Sequence, residues 1–425
     1  MSESRLSKLK TVSKFEPLLL QSANFLEYLL PNVKLRDYQV RAAIHIAIQD
    51  YQLLAFDTGL GKTVAMLAGL VAKKNYGIPV RALILCPLAG MEQVYNSINK
   101  FTDFKAVKLT GSEKGLNKFI HSLDESVDIL LCNYEAFDNP KVLKVMHYIN
   151  NMAMFNTIVL DEAHTIANIH TSNRNFFIAT LVRNMRFKYF LTATPIISEI
   201  NQYATLIALM KDELDELGSL VSRARAGYFS HERVPHMVQF KERELGYKVK
   251  LYKFPEVKYT GTSYGTEIFK YTRGPESKQV EKKLKDIITN TDGKLLIYSH
   301  LKANHKYLAD LAESLGRKVG IISGDTSKSD VQERFNKGEL DCVVFSIPTE
   351  LNLPAKAIVL YDWTSMAHQA IGRGIRSESA DGYVAHIFLT KTEKEVSLFN
   401  NTVIKNSVYL SQAFGKQITE LLKLK

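Results

Sequence analysis

In Leu53-Leu54-Ala55-Phe56-Asp57-Thr58-Gly59-Leu60-Gly61-Lys62-Thr63 an apolar run breaks into a glycine-rich turn that ends on Lys-Thr. Val64 to Leu70 follow with a composition that suits a helix. Strand, glycine-rich turn and helix, in that order, let backbone N–H groups close around a phosphate at a helix N-terminus. Gly59 and Gly61 free the backbone to turn, with Thr58 and Leu60 completing the loop. Lys62 has the reach and charge for β and γ oxygens, and the Thr63 hydroxyl suits Mg2+. The full signature G-x-x-x-x-G-K-[ST] fails at its first position, where Phe56 stands, so the loop needs a partner to be persuasive.

That partner follows 99 residues after Lys62 (161 minus 62), where Thr157-Ile158-Val159-Leu160 runs into Asp161-Glu162-Ala163-His164. Acids at the C-terminal end of a parallel strand stand where α/β sheets bind ligands. Asp161 is expected in the Mg2+ shell and Glu162 as the group that polarises an attacking water. Adjacent acids at a strand end also serve as helix N-caps, the reading to prefer without a phosphate loop.

Outward from these two motifs, apolar runs alternate with amphipathic stretches. Leu83–Cys86, Ile129–Cys132 and Tyr189–Leu191 join Leu53–Phe56 and Thr157–Leu160 in a first set, and Leu295–Tyr298, Val319–Ile322, Val343–Phe345, Ile358–Leu360 and Ala385–Phe388 form a second. Continuous apolar strands joined by helices predict parallel sheets covered on both faces. The expected plan is an N-terminal extension over 1–34, an α/β lobe over 35–218, a basic connector over 219–277 and a second lobe over 278–425. Prolines and glycines punctuate the connector, which reads as irregular or antiparallel. Between Val221 and Thr260 it holds nine Lys/Arg against four Glu, interleaved with aromatics that include Tyr228, Phe240 and Tyr252. Such a mixture suits phosphate pairing and base stacking, and equally a half-buried β-rich segment with a solvated face.

The 425 residues carry a net charge of +11, which permits a polyanionic partner such as nucleic acid. Hydrophobic residues at 46% indicate folded cores. Cys86, Cys132 and Cys342 each sit inside an apolar run without metal-ligand spacing and read as buried small hydrophobes in a reducing compartment. Leu18-Leu19-Leu20 is too short for a signal sequence and no run reaches membrane-spanning length, so an intracellular protein without a membrane partner is expected.

Gln369-Ala370-Ile371-Gly372-Arg373-Gly374-Ile375-Arg376 fits Q-x-x-G-R-x-x-R, two arginines three residues apart on one side of a helix. Guanidinium groups delivered to a γ-phosphate stabilise the charge of phosphoryl transfer, which makes Arg373 and Arg376 arginine-finger candidates. A solvated basic helix is the plainer alternative.

With these motifs in chain order, the sequence from Leu35 to Leu389 resembles the superfamily-two helicases, among them the Swi/Snf-type double-stranded DNA translocases and the phage branch-migration helicases. Leu35-Arg36-Asp37-Tyr38-Gln39 is similar to the family's adenine-reading motif, which gives Arg36 and Gln39 to the nucleotide along with Gln369. Leu83 to Gln93 resembles motif Ia, and Asp128 to Glu135 the strand-end motif that follows it; the resemblance implies nucleic-acid contacts at Pro87, Gln93, Asn133 and Tyr134. Thr192-Ala193-Thr194-Pro195 matches motif III, so Thr192 and Thr194, with His164 of the DEAH string, are implied to couple hydrolysis to movement. The second set contributes Ser299, Gly324 and Asn352 to nucleic acid in the same way. Glu350 departs from the Swi/Snf pattern, which has Gly before Leu351-Asn352-Leu353. His164 is as well explained as a satisfied structural histidine, and Trp363 reads as core.

The resemblance implies two RecA-like parallel-sheet lobes in tandem, with ATP and Mg2+ in the cleft between them, and a DNA motor that acts as a monomer on duplex or branched DNA in recombination, repair or replication. An RNA helicase shares this core. A scaffold keeping a relic nucleotide fold is the non-motor alternative.

Overall fold

In the computed structural model, the described residues are 30, 33–56, 60–112, 116, 119, 126–169, 172–193, 195, 200–225, 237–240, 248–254, 277–323, 328–346, 351–363, 367–374 and 382–390. Of the expected site residues, Thr58, Gly59, Thr194, Gly324 and Arg376 lie outside them, as does most of the N-terminal extension.

The first unit carries a seven-stranded sheet in the order β3-β4-β2-β5-β6-β1-β7. Its strands are β1 (Tyr51–Phe56), β2 (Ala82–Cys86), β3 (Ala106–Leu109), β4 (Ile129–Asn133), β5 (Thr157–Asp161), β6 (Phe187–Leu191) and β7 (Met237–Phe240). The helices are α1 (Asp37–Ile48), α2 (Lys62–Asn75), α3 (Met91–Phe101), α4 (Pro140–Asn151), α5 (Asn173–Asn184), α6 (Ile200–Lys211) and α7 (Leu217–Arg225). Every pairing is parallel. β2, β4 and β6 are buried along their whole length, as continuous apolar runs require when both faces are covered. Local signals start the helices: Asn139 accepts from the Lys141 amide ahead of Pro140, and Ser172 accepts from the Asn175 amide.

The second unit carries a six-stranded parallel sheet in the order β10-β11-β9-β12-β13-β8. Its strands are β8 (Lys248–Phe254), β9 (Leu295–Tyr298), β10 (Val319–Ile322), β11 (Cys342–Phe345), β12 (Ala357–Leu360) and β13 (Val384–Thr390). Its helices are α8 (Lys278–Asn290), α9 (Ala303–Ser314), α10 (Lys328–Lys337) and α11 (Ala367–Gly374). Leu284 and Ile288 of α8, with Leu308 of α9, pack on Leu295, Val344 and Val359 to form its core. Trp363 is 4% exposed and belongs to the interior.

All ten apolar runs read from the sequence are strands. The basic stretch after residue 218 differs from the irregular or antiparallel expectation: β7 pairs parallel with β1, and β8 pairs parallel with β13. It thus supplies an edge strand to each sheet, and the boundary between the units falls between 240 and 241.

Where the strands of the first sheet begin, two lysines are buried. Lys73 of α2 donates to the Gln49 carbonyl at 3.3 Å, with its ammonium 4.0 Å from the centroid of the Phe187 ring. Lys188 of β6 pairs with Asp212. All three cysteines are free and buried. Among the described residues no group of His, Cys, Asp or Glu could hold a metal ion by itself, and no helix is long and apolar enough to cross a membrane.

Candidate functional site

In the first unit, Gly61, Lys62 and Asp161 lie at or just beyond the ends of the strands, with Gln39 beside Gly61. β1 stops at Phe56, and Gly61 enters α2 in the left-handed region, with φ of 75°. With φ of 75° and a Cβ that would stand 2.4 Å from Gln39 Nε2, the turn favours glycine, and a larger residue would have to displace the Gln39 amide. Behind it the first N–H groups of α2 have no acceptor within the helix and form an anion cradle. Thr63 lies in that first turn. Lys62 Nζ donates to the Phe56 carbonyl at 3.2 Å, which ties the ammonium to the end of β1. Gln39 is buried, and its Oε1 accepts from the Arg36 amide at 3.0 Å. Arg36 is therefore the residue ahead of α1, with its backbone tied to Gln39.

Asp161 ends β5, two strands from β1 in the sheet with β6 between them. Asp161 Oδ1 accepts from the Glu162 amide at 3.1 Å. Glu162 has φ of 52° and ψ of 50°, a left-handed conformation that costs on the order of 1 kcal/mol in a non-glycine residue and recurs at functional turns. The strained turn places Glu162 Oε2 3.4 Å from His164 Nδ1, and the same nitrogen lies 2.9 Å from Thr192 Oγ1. Thr192 is fully buried just past the end of β6, and its amide donates to the Leu54 carbonyl of β1 at 3.1 Å. One path of contacts thus links Glu162 through His164 and Thr192 to β1. A donor set of Thr63 and Asp161, both oxygen ligands, matches what Mg2+ prefers.

The strand-end residues expected at nucleic acid divide into two groups. Leu88 is 54% exposed in a short 3-10 turn, Leu88–Gly90, directly after the half-buried Pro87, and Gln93 is exposed on α3. Asn133 and Tyr134 are buried instead, at 3% and 1% exposure. Tyr134 turns inward and donates its hydroxyl to the Asp161 carbonyl at 2.7 Å. Burial, and next the charge of Asp161, push the Tyr134 pKa well up, so this phenol stays a donor. These two side chains offer no surface to a phosphate. Between the groups stands Glu135, whose Oε2 accepts from the Leu88 amide at 3.2 Å and from Asn133 Nδ2 at 3.0 Å.

In the second unit Ser299 is likewise buried rather than presented. Its hydroxyl donates to Asp362, whose other oxygen accepts from the His300 amide at 2.8 Å, and Asn304 Nδ2 donates to Ser299 Oγ at 2.8 Å. Asn352 is exposed, with its backbone held by Gln332 and Asn336 of α10. Arg373 is half-buried on α11, and Gln369 belongs to the same helix. The carbonyls of Arg373 and Gly374 accept from the amides of Leu353 and Ala355 at 3.2 and 3.1 Å, which fixes α11 to the segment carrying Asn352. Gly374 is required there, because a Cβ would stand 2.6 Å from the Tyr383 ring.

A family model described as the SNF2-related domain matches residues 39–227. Over that span the chain is similar to this family. It takes in Gln39, the phosphate loop, Asp161, Glu162, His164 and Thr192, and it stops before β7. The chain is 29% identical over 163 residues to the uncharacterized ATP-dependent helicase YqhH of Bacillus subtilis, a match covering 37% of this chain and 26% of that protein. It is 25% identical over 194 residues to the ATP-dependent helicase FUN30 of Saccharomyces cerevisiae, covering 44% of this chain and 17% of the other. The chain therefore spans only about a quarter or less of the length of these curated relatives. Among solved structures, the Sulfolobus solfataricus SWI2/SNF2 ATPase core in complex with dsDNA aligns with a TM-score of 0.40 and 15% identity, covering 92% of this chain and 95% of that one.

Two residues of consequence escaped the sequence reading. Glu135 ends the strand-end motif within the span matched by the SNF2-related domain model, and its signal was an acid two residues past a largely apolar strand. Asp362, outside that domain, follows the run Ile358 to Tyr361 in the same way.

Proposed function

We propose that the chain is a nucleic-acid-dependent ATPase that moves on duplex DNA and remodels branched DNA such as forks and junctions. The observation that carries this reading is the contact path Glu162–His164–Thr192, which joins the acid expected to activate water to the end of β6 and, through the Leu54 carbonyl, to β1. A plain ATPase has no need of such a path; a motor must pass the state of its phosphate site to the rest of the lobe. The SNF2-related domain supports the reading, as do relatives whose names describe ATP-dependent helicases.

In this mechanism Gln39 and Arg36 hold the adenine end. Lys62 and the first amides of α2 hold the phosphates, and Glu162 orients the water and takes up its proton. Mg2+, held by Thr63 and Asp161, would neutralise phosphate charge. Arg373 and Arg376 are the candidates to stabilise the charge of phosphoryl transfer, and each cycle of hydrolysis changes the grip on the nucleic-acid backbone. Pro87, Gln93 and Asn352 remain the presented candidates for that grip. The setting is intracellular, where ATP and nucleic acid meet, and the acting species is a monomer.

Steady-state ATPase of the purified chain with no nucleic acid, duplex DNA, single-stranded DNA, a four-way DNA junction and RNA tests the proposal. Stimulation is expected with duplex and most strongly with the junction. Stimulation by RNA alone would move the chain to the RNA helicases, and none at all would remove the motor reading.

A further inference from the structure

The strand order places β2 between β4 and β5, so the ends of β4 and β5 are two strand spacings apart, about 10 Å. Tyr134, the first residue after β4, crosses that interval and donates to the carbonyl of Asp161, the last residue of β5. Its neighbour Glu135 accepts from the amide of exposed Leu88 in the turn that follows β2, the strand between them. Two consecutive residues therefore join the backbone of Asp161 to an exposed loop.

We infer that Tyr134 is a positioning residue, whose hydroxyl transmits the seating of nucleic acid on the Leu88–Glu135 loop to the backbone of Asp161. This rests on the motor reading above and adds the route by which nucleic acid raises turnover. Several features bear on it beyond simple packing. The phenol is buried, at 1% exposure, and its hydroxyl donates to a backbone atom of the acid expected to hold the metal. The loop end is exposed, with Leu88 standing open beside Pro87. Asn133 Nδ2 shares Glu135 Oε2 with the Leu88 amide, so a displacement of the loop is felt at the base of Tyr134 itself. A phenylalanine would fill the same core volume, leaving the hydroxyl as the only thing lost.

The test is ATPase of the full chain, with and without duplex DNA, for wild type, Tyr134→Phe, Glu135→Ala and Glu135→Gln, with duplex affinity and Tm measured on each. Tyr134→Phe is expected to keep its duplex Kd and basal turnover while the DNA-stimulated kcat falls about tenfold, the factor one hydrogen bond of ordinary strength is worth. Glu135→Ala should lower the stimulated kcat in the same direction. Glu135→Gln, which keeps one acceptor oxygen for the Leu88 amide, should restore most of it. Undiminished stimulation in Tyr134→Phe overturns the inference, as does a parallel fall of basal and stimulated rates that tracks a lower Tm. If wild type itself shows no stimulation by duplex DNA, the motor reading has failed and the inference falls with it.

Discussion

His164 Nδ1 stands 2.9 Å from Thr192 Oγ1, a side-chain bridge from the turn after β5 to the residue after β6. Thr192 is gripped from its other side as well, through its amide on the Leu54 carbonyl. Thr192→Val keeps the shape and removes the hydroxyl. Leaving the imidazole nitrogen without that partner should cost about 1–2 kcal/mol of stability, read from a urea midpoint. Phosphate release with duplex DNA should persist while displacement of a third strand from a triplex, per ATP consumed, drops. An unchanged ratio of displacement to hydrolysis would count against the bridge as a coupling element.

Lys62→Ala should reduce ATP turnover by more than about 100-fold, the range expected when a charge aimed at a phosphate is removed. Loss of the bond to the Phe56 carbonyl is a minor matter for the fold, so Tm should stay within about 2 °C. Arg376→Ala should lower turnover on the order of 1000-fold while the protein remains folded. Normal turnover in either variant removes that residue from the site.

Gly61→Ala combines two penalties, a left-handed φ of 75° and a Cβ 2.4 Å from Gln39 Nε2. Backbone strain alone is worth about 1–2 kcal/mol. Displacing Gln39 should in addition weaken nucleotide binding, visible as a loss of the Tm increase that ATP confers on wild type. An ATP-induced shift of wild-type size would show that the Gly61–Gln39 contact is dispensable.

Burial pushes the Lys73 ammonium down to about 8, with Asp50 offsetting part of the fall and Arg186 adding to it. In the unfolded chain a lysine titrates near about 10.4. Below pH 8 the folded protein therefore bears the full cost of a buried charge. As pH rises from about 8 towards 10.4, the folded chain releases a proton that the unfolded chain keeps, and stability increases. Urea midpoints at pH 7.5 and 9.5 should show this rise in wild type and not in Lys73→Met. A rise of equal size in both would assign it to other groups.

Ten strands were legible because each is an apolar run long enough to demand cover on both faces. β3, β7 and β8 were not. β3 is only four residues, Ala-Val-Lys-Leu, half-buried at a sheet edge, and β7 and β8 lie in a basic, aromatic stretch whose composition carries no sign of parallel pairing. For the candidate site, Gly61, Lys62, Asp161 and Glu162 could be singled out from sequence because phosphate and metal chemistry calls for those residue types at that spacing. Tyr134 and Ser299 were read as surface contacts because a motif at a strand end does not say which way its side chains point. The hydroxyl of each proved to serve a carbonyl or carboxylate of the chain itself.

All strands of the first sheet run the same way, so it has a starting rim and a finishing rim. The finishing rim holds Phe56, Pro87, Tyr134, Asp161 and Thr192; the starting rim holds Lys73 with Gln49 and Lys188 with Asp212. Five-residue strands keep the rims about 16 Å apart, beyond the range at which substitutions ordinarily couple. Robustness and chemistry are thus separable variables in this lobe. A sequence can drift, or be engineered, towards greater heat resistance at one rim while the other goes on answering only to its ligands.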